Sequence, residues 1–185
     1  MEDEKLLPFM AGKPLIDGID VSYWNSVVGE LHRIGNEHRL ATIITHGFVD
    51  IMVNGIIEKT CRDQKQIVAD HRQWGHAAKL VLIHEMKVLT DRHYRLLKWF
   101  NSLRNDFAHK PQFVLTEDRM SILEKPEHRA LKNFHMLCIQ ILMDLWVNYF
   151  GMIGEMFVKG LGPISPELLT RRQPTESIIV PLSDP

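Results

Sequence analysis

Between Met136 and Val158 the chain is almost continuously apolar, and Gln140, Asp144 and Asn148 interrupt it four residues apart along one line. A run of that length is close to the minimum that spans a bilayer. A carboxylate at mid-membrane is costly, however, and no basic anchors clearly flank the run. The segment therefore reads as the central helix of a bundle, buried by its neighbours and open to packing against a second subunit. No strand-type alternation of useful length appears elsewhere, and no internal repeat. The expected fold is all-α, an antiparallel helical bundle of four to five helices.

The helix boundaries follow from caps and breakers. Asp20 or Ser22 can cap a helix running to about Ile34, stopped by Gly35-Asn36. A second pattern runs from about Glu37 to Thr60, with His46, Asp50, Asn54 and Glu58 recurring every four residues as one hydrophilic stripe. This stripe is expected to be solvated or to lie between helices. Residues 61–73 hold a turn and a short helix, and a further helix covers about Trp74 to Val88. Thr90-Asp91 then caps a helix that reaches His109, and Pro111 stops it. Residues 110–125 are a loop, and Pro126 suits the first turn of the last helix, which runs to about Lys159. The expected organisation is an irregular lead-in over 1–20, a bundle domain over 21–159 and a Pro-rich tail over 160–185. In that tail only Arg171-Arg172 and Ile178-Ile179-Val180 look able to dock on anything.

Composition narrows the function classes. At 185 residues and a formal net charge of −1, the chain is long enough for one real core and has no excess basicity for coating DNA. Cys61 and Cys138 stand alone on apolar helical patterns and read as core thiols, not as a disulfide or a metal pair. His84-Glu85 lacks the second histidine of a zinc-protease helix, and His71 and His76, five apart, read as surface residues. No metal or cofactor is expected. The acidic start, Met1 to Lys5, carries no signal-type apolar run, so a cytoplasmic location without membrane association is expected.

The chemistry concentrates at Arg104-Asn105-Asp106-Phe107-Ala108-His109. Advancing about 100° per residue from Asp91 puts Leu96, Leu97, Trp99, Phe100, Leu103 and Phe107 on one side of a helix. Arg104 falls at the edge of that apolar side, where a guanidinium is costly without an acceptor. Arg92, Arg95, Lys98, Arg104 and Lys110 face only Asp91 and Asp106 as opposing charges, which favours an anionic partner. Five residues on an ideal helix turn two side chains apart by roughly 140°. Arg104 and His109 meet, on this reading, through fraying of the helix before Pro111 and through a second copy across a symmetric cleft. A purely structural reading stays open: Arg104 paired with Asp50 or Glu58, and His109 capping the helix end.

Ala77 to Leu89, then Tyr94, Leu97 and the Arg104–His109 hexapeptide, resemble the HEPN superfamily, in particular its branch of mannitol operon repressor-like proteins. The resemblance covers about residues 70–111. It implies that Arg104, Asn105 and His109 match the family's ribonuclease motif, that two such motifs line one dimer cleft, and that RNA is cleaved without metal, often in toxin or defence roles. In such a reaction His109 would act as acid or base. Arg104 would hold the phosphate, Asn105 would orient it, and Lys110 would add attraction. A dimer would supply two histidines for the two proton transfers. The alternative is a non-catalytic, repressor-like regulator or interaction domain. The partners expected are a second copy, an RNA substrate and an antitoxin or regulatory protein.

Overall fold

Ser22 opens the first helix and Gly35 closes it, because Gly35 takes a φ of +58° that a side chain would resist. The computed structural model of the chain describes residues 15–16, 19–20, 22–121, 123 and 129–157. Within the lead-in, β1 (Leu15–Ile16) pairs antiparallel with β2 (Ile19–Asp20). Among the described residues the α-helices are α1 (Ser22–Ile34), α2 (His38–Thr60), α3 (Gln64–Ala69), α4 (His76–Glu85), α5 (Asp91–His109) and α6 (Phe134–Phe157). Five of the six have ten residues or more, and the six-residue α3 is the short helix expected after α2. Thr90 caps α5, its hydroxyl accepting from the His93 backbone N–H at 3.3 Å.

Two boundaries differ from expectation. The helix read as extending to Val88 stops at Glu85, where Lys87 takes the left-handed turn with φ 58°. The Lys87 N–H meets the His84 carbonyl at 2.8 Å and the Val88 N–H meets the Ile83 carbonyl at 3.0 Å, which is the Schellman closure. Glycine normally holds that position, so Lys87→Gly is expected to raise stability by about 0.5–1 kcal/mol, read from the urea midpoint. The last helix begins at Phe134, not near Pro126: Ala130 is non-helical and a 3-10 turn over Leu131–Asn133 intervenes. Pro126 itself, Lys159, and the tail's Arg171-Arg172 and Ile178–Val180 lie outside the described residues.

The expected antiparallel arrangement holds for some neighbours only: Asp50–His76 and Asn54–Lys79 make α4 run parallel to α2, and the central pair is parallel too. His38 contacts the Leu131 carbonyl at 3.0 Å and stacks edge-on with Phe134, while Trp24 touches both Phe48 (5.3 Å) and Trp146 (5.1 Å). The starts of α2 and α6 therefore lie together and the two helices run parallel. Three helices intervene in the chain, so no short loop forces the pair to reverse direction. Met52, Ile56 and Ile57 of α2 join Phe100, Leu103 and Phe107 of α5 and Leu142 and Leu145 of α6 in one core. Trp99, expected in that core, is only half-buried, and its indole N–H donates to the Arg119 carbonyl at 2.9 Å. His38–Thr60 and Leu131–Gly154 are long and apolar enough to cross a membrane, and 61% of each apolar window is buried within the bundle. Cys61 and Cys138 are free thiols, and burial pushes the Cys138 thiol up to about 12, too high for a nucleophile at neutral pH.

Candidate functional site

The last turn of the motif helix does not fray. Arg39, from the first turn of α2, donates to the Phe107 carbonyl at 2.5 Å, to Pro111 at 2.9 Å and to Lys110 at 3.3 Å. The Phe107 carbonyl is one of the orphan acceptors of a helix C-terminus, and the guanidinium satisfies it together with two carbonyls just past the helix end. The cap is thus Arg39, not His109, and α5 stays helical through His109 before Lys110 turns extended (φ −119°, ψ 95°). His109 is exposed. Lys110 is held to Asp106 at 2.7 Å, and Asp106 also receives Arg119 and is kept below the usual carboxylate range, chiefly by the Lys110 bond. The cationic stripe read from the sequence is correspondingly less free than it looked: Asp91 meets His84 at 2.8 Å, and Arg92 lies 4.0 Å from Asp144.

Arg104 and Asn105 face elsewhere. Both line a cleft of about 460 Å³ bounded by α2, the turn before α4, the first turn of α4 and α5. The volume lies within the range of small-molecule sites. The Arg104 guanidinium donates to Asn105 Oδ1 at 3.1 Å, so neither Asp50 nor Glu58 claims it through a close ion pair, and Glu58 is exposed. Gly47 and Gly75 keep the mouth wide, since nothing lies within 4 Å of where a Cβ would stand at either. Of the candidate catalytic and phosphate-binding residues, the cleft therefore gathers Arg104 and Asn105, while His109 and Lys110 stand outside it.

The opposite wall is built from the polar stripe of α2. His46 Nε2 meets Asn101 Oδ1 at 3.1 Å, Asp50 Oδ1 meets His76 Nδ1 at 2.8 Å, and the buried Lys79 donates to Asn54 Oδ1 at 2.9 Å. The stripe is thus an inter-helix network for three of its four members. His76, read as a surface residue, is in fact nine-tenths buried, with 9% of its side chain exposed. The His46 and His76 rings lie 4.4 Å apart. Burial, then the nearby His76, lower the His46 imidazole to about 4, with Arg104 pushing the same way. Asp50 is held below the usual carboxylate value, first by the His76 bond and then by the charges of His76, Lys79 and His46. At neutral pH the cleft sets Arg104 and Lys79 against one carboxylate, a balance that favours an anion.

His46 makes stability depend on pH in a defined window. Its folded value lies below the ordinary 6.5, so the unfolded chain takes the proton first as pH falls. Stability should therefore decline between about pH 6.5 and 4. Urea midpoints at pH 7 and pH 4.5 should show wild type losing about 2 kcal/mol more than His46→Gln, a figure reduced for the ring's partial solvent contact. Asp50, also shifted down, adds a loss of the same sign as pH falls, but only near and below its ordinary value of 3.8. The two effects are separable by pH.

Among the described residues no three His, Cys, Asp or Glu side chains converge as a metal-holding group. Compared with family models, curated proteins and solved structures, the chain matches none.

Proposed function

We propose that this chain is a HEPN-like, metal-independent endoribonuclease that works as a homodimer. The observation that carries the reading is the placement of Arg104 and Asn105 on the wall of an open, cationic cleft instead of in an internal ion pair. A guanidinium there grips non-bridging phosphate oxygens and stabilises the charge that grows on them during attack by the 2′-hydroxyl. Within one subunit the exposed His109 does not reach that cleft, so the reading requires a second copy. Leu40 and Ile43 support one: they are 49% and 46% exposed on α2, at the end of that helix which carries Arg39 against the His109 turn. An apolar strip beside the motif suits a symmetric contact that delivers His109 of the partner subunit to the Arg104 cleft.

Incubating purified protein with single-stranded RNA in EDTA tests this. Wild type should cleave, and Arg104→Ala and His109→Ala should each lose the activity with folding intact. Equal cleavage by all three would remove the motif from the mechanism. The position of His109 outside the cleft also favours a second reading, a non-catalytic regulator of the repressor-like kind acting through protein contacts, which predicts no cleavage and a partner that binds near α5.

A further inference from the structure

The least explained group in the cleft is the first residue of α4. His76 follows Gly75 directly, its ring is nine-tenths buried in the cleft wall, and its Nδ1 lies 2.8 Å from Asp50 Oδ1. Its Nε2 is buried with no hydrogen-bond partner. A carboxylate can only accept, so Asp50 fixes the N–H on Nδ1 and leaves the lone pair of the neutral ring on Nε2. Buried polar atoms are normally satisfied, and one left over at a cleft wall points to a ligand atom as its partner. His46 and Asp50 from α2 meet the ring directly, and the other titratable or charged groups lining the cleft with it are Lys79 from α4 itself, His71 from the preceding turn and Arg104 from α5.

We propose that His76, positioned by Asp50, is the base of the cleft and acts on RNA in the same subunit as the Arg104 that holds the phosphate. This rests on the ribonuclease reading above and names the proton acceptor that reading lacks within one chain. His76 Nε2 takes the proton of the 2′-hydroxyl as that oxygen bonds to phosphorus. The bond from phosphorus to the 5′-oxygen breaks with its electron pair, and that oxygen takes a proton from His109 of the partner subunit. The products are a 2′,3′-cyclic phosphate and a 5′-hydroxyl, and solvent exchange resets both rings. His46, uncharged at neutral pH and tied to Asn101 at 3.1 Å, has its ring 4.4 Å from that of His76, and on this proposal it turns aside to let the 2′-hydroxyl meet the buried Nε2. Asp50 is a positioning residue: it touches no substrate and sets the tautomer of the ring that does.

His76→Asn keeps an amide N–H for Asp50 but cannot shuttle a proton, and should slow cleavage by about 10²–10⁴-fold with an unchanged circular dichroism melt. Asp50→Asn presents an N–H to the ring, favours the wrong tautomer, and should distort the acid side of the pH–rate profile as well as lower the rate. Mixing variants separates the subunits. Arg104→Ala with His109→Ala should recover about a quarter of wild-type activity, because random pairing gives half mixed dimers, each with one intact cleft. Arg104→Ala mixed with His76→Asn should recover nothing, since every cleft then lacks one of the two. Recovery in that second mixture overturns the same-subunit assignment. A fully active His76→Asn beside a dead Arg104→Ala overturns the role of His76 and leaves the ribonuclease reading standing, whereas an inert wild type removes both.

Discussion

Asp144→Ala is expected to remove about 3–5 kcal/mol of stability, because it deletes the buried centre of a charged network and leaves its partners unpaired. Asp144 lies midway along α6 with 4% of its surface exposed. Its Oδ2 receives His93 Nε2 at 2.7 Å, and the Asn148 amide donates to its Oδ1 at 3.2 Å. The other ring nitrogen of His93 meets the Thr90 hydroxyl at 2.8 Å and the Tyr149 hydroxyl at 2.9 Å, and burial holds that phenol above its ordinary value, so it stays a hydroxyl. Thr90 is the cap of α5, so this chain of bonds ties the start of the motif helix to the centre of the bundle. Replacing His93 and Asp144 together by leucines should cost less than the single alanine, since the buried His93 ring is then not left without its acceptor. Urea denaturation of the three proteins measures both effects. A single-variant loss under 1 kcal/mol would show that water or a neighbour replaces the carboxylate.

The same residue shows how far the sequence could be read. A lone Asp among Met136 to Val158 was enough to place that helix inside a bundle, and Gly35, Thr90 and Pro111 marked their boundaries because capping is local chemistry. Lys87 did not announce itself, since a left-handed turn made by lysine has no composition signal. The parallel course of α2 and α6 was equally hidden, because helix direction depends on where the intervening chain travels. At the site, Arg104 at the edge of an apolar face was legible as an anomaly. The stripe His46, Asp50 and Asn54 was legible as a stripe, but not what it faced. His76 lies 26 residues from Asp50 and Arg39 lies 68 from Phe107, and no spacing rule connects such pairs. The signal that would have found the second wall is the lysine of Ala77-Ala78-Lys79: a cation set among apolar residues on a helix needs acceptors, and the α2 stripe was the nearest supply.

On the proposed ribonuclease reading, Arg104→Ala is expected to lower the single-turnover cleavage rate at saturating RNA by about 10²–10³-fold, the usual consequence of deleting one donor aimed at developing negative charge. Its effect on stability should stay within about 1 kcal/mol, because the half-buried guanidinium holds only the exposed Asn105 side chain next to it. The loss should fall on the rate at saturation more than on KM, since other phosphates of a long RNA still find exposed basic residues such as Lys98 and Lys110. Arg104→Lys should recover little of it: an ammonium restores charge but not the planar pair of N–H groups that match two phosphate oxygens. If lysine restores the full rate, the position supplies charge alone and any cation at the cleft would serve. If alanine retains the wild-type rate, phosphate is held elsewhere, and the acceptor-poor placement of Arg104 needs a different explanation.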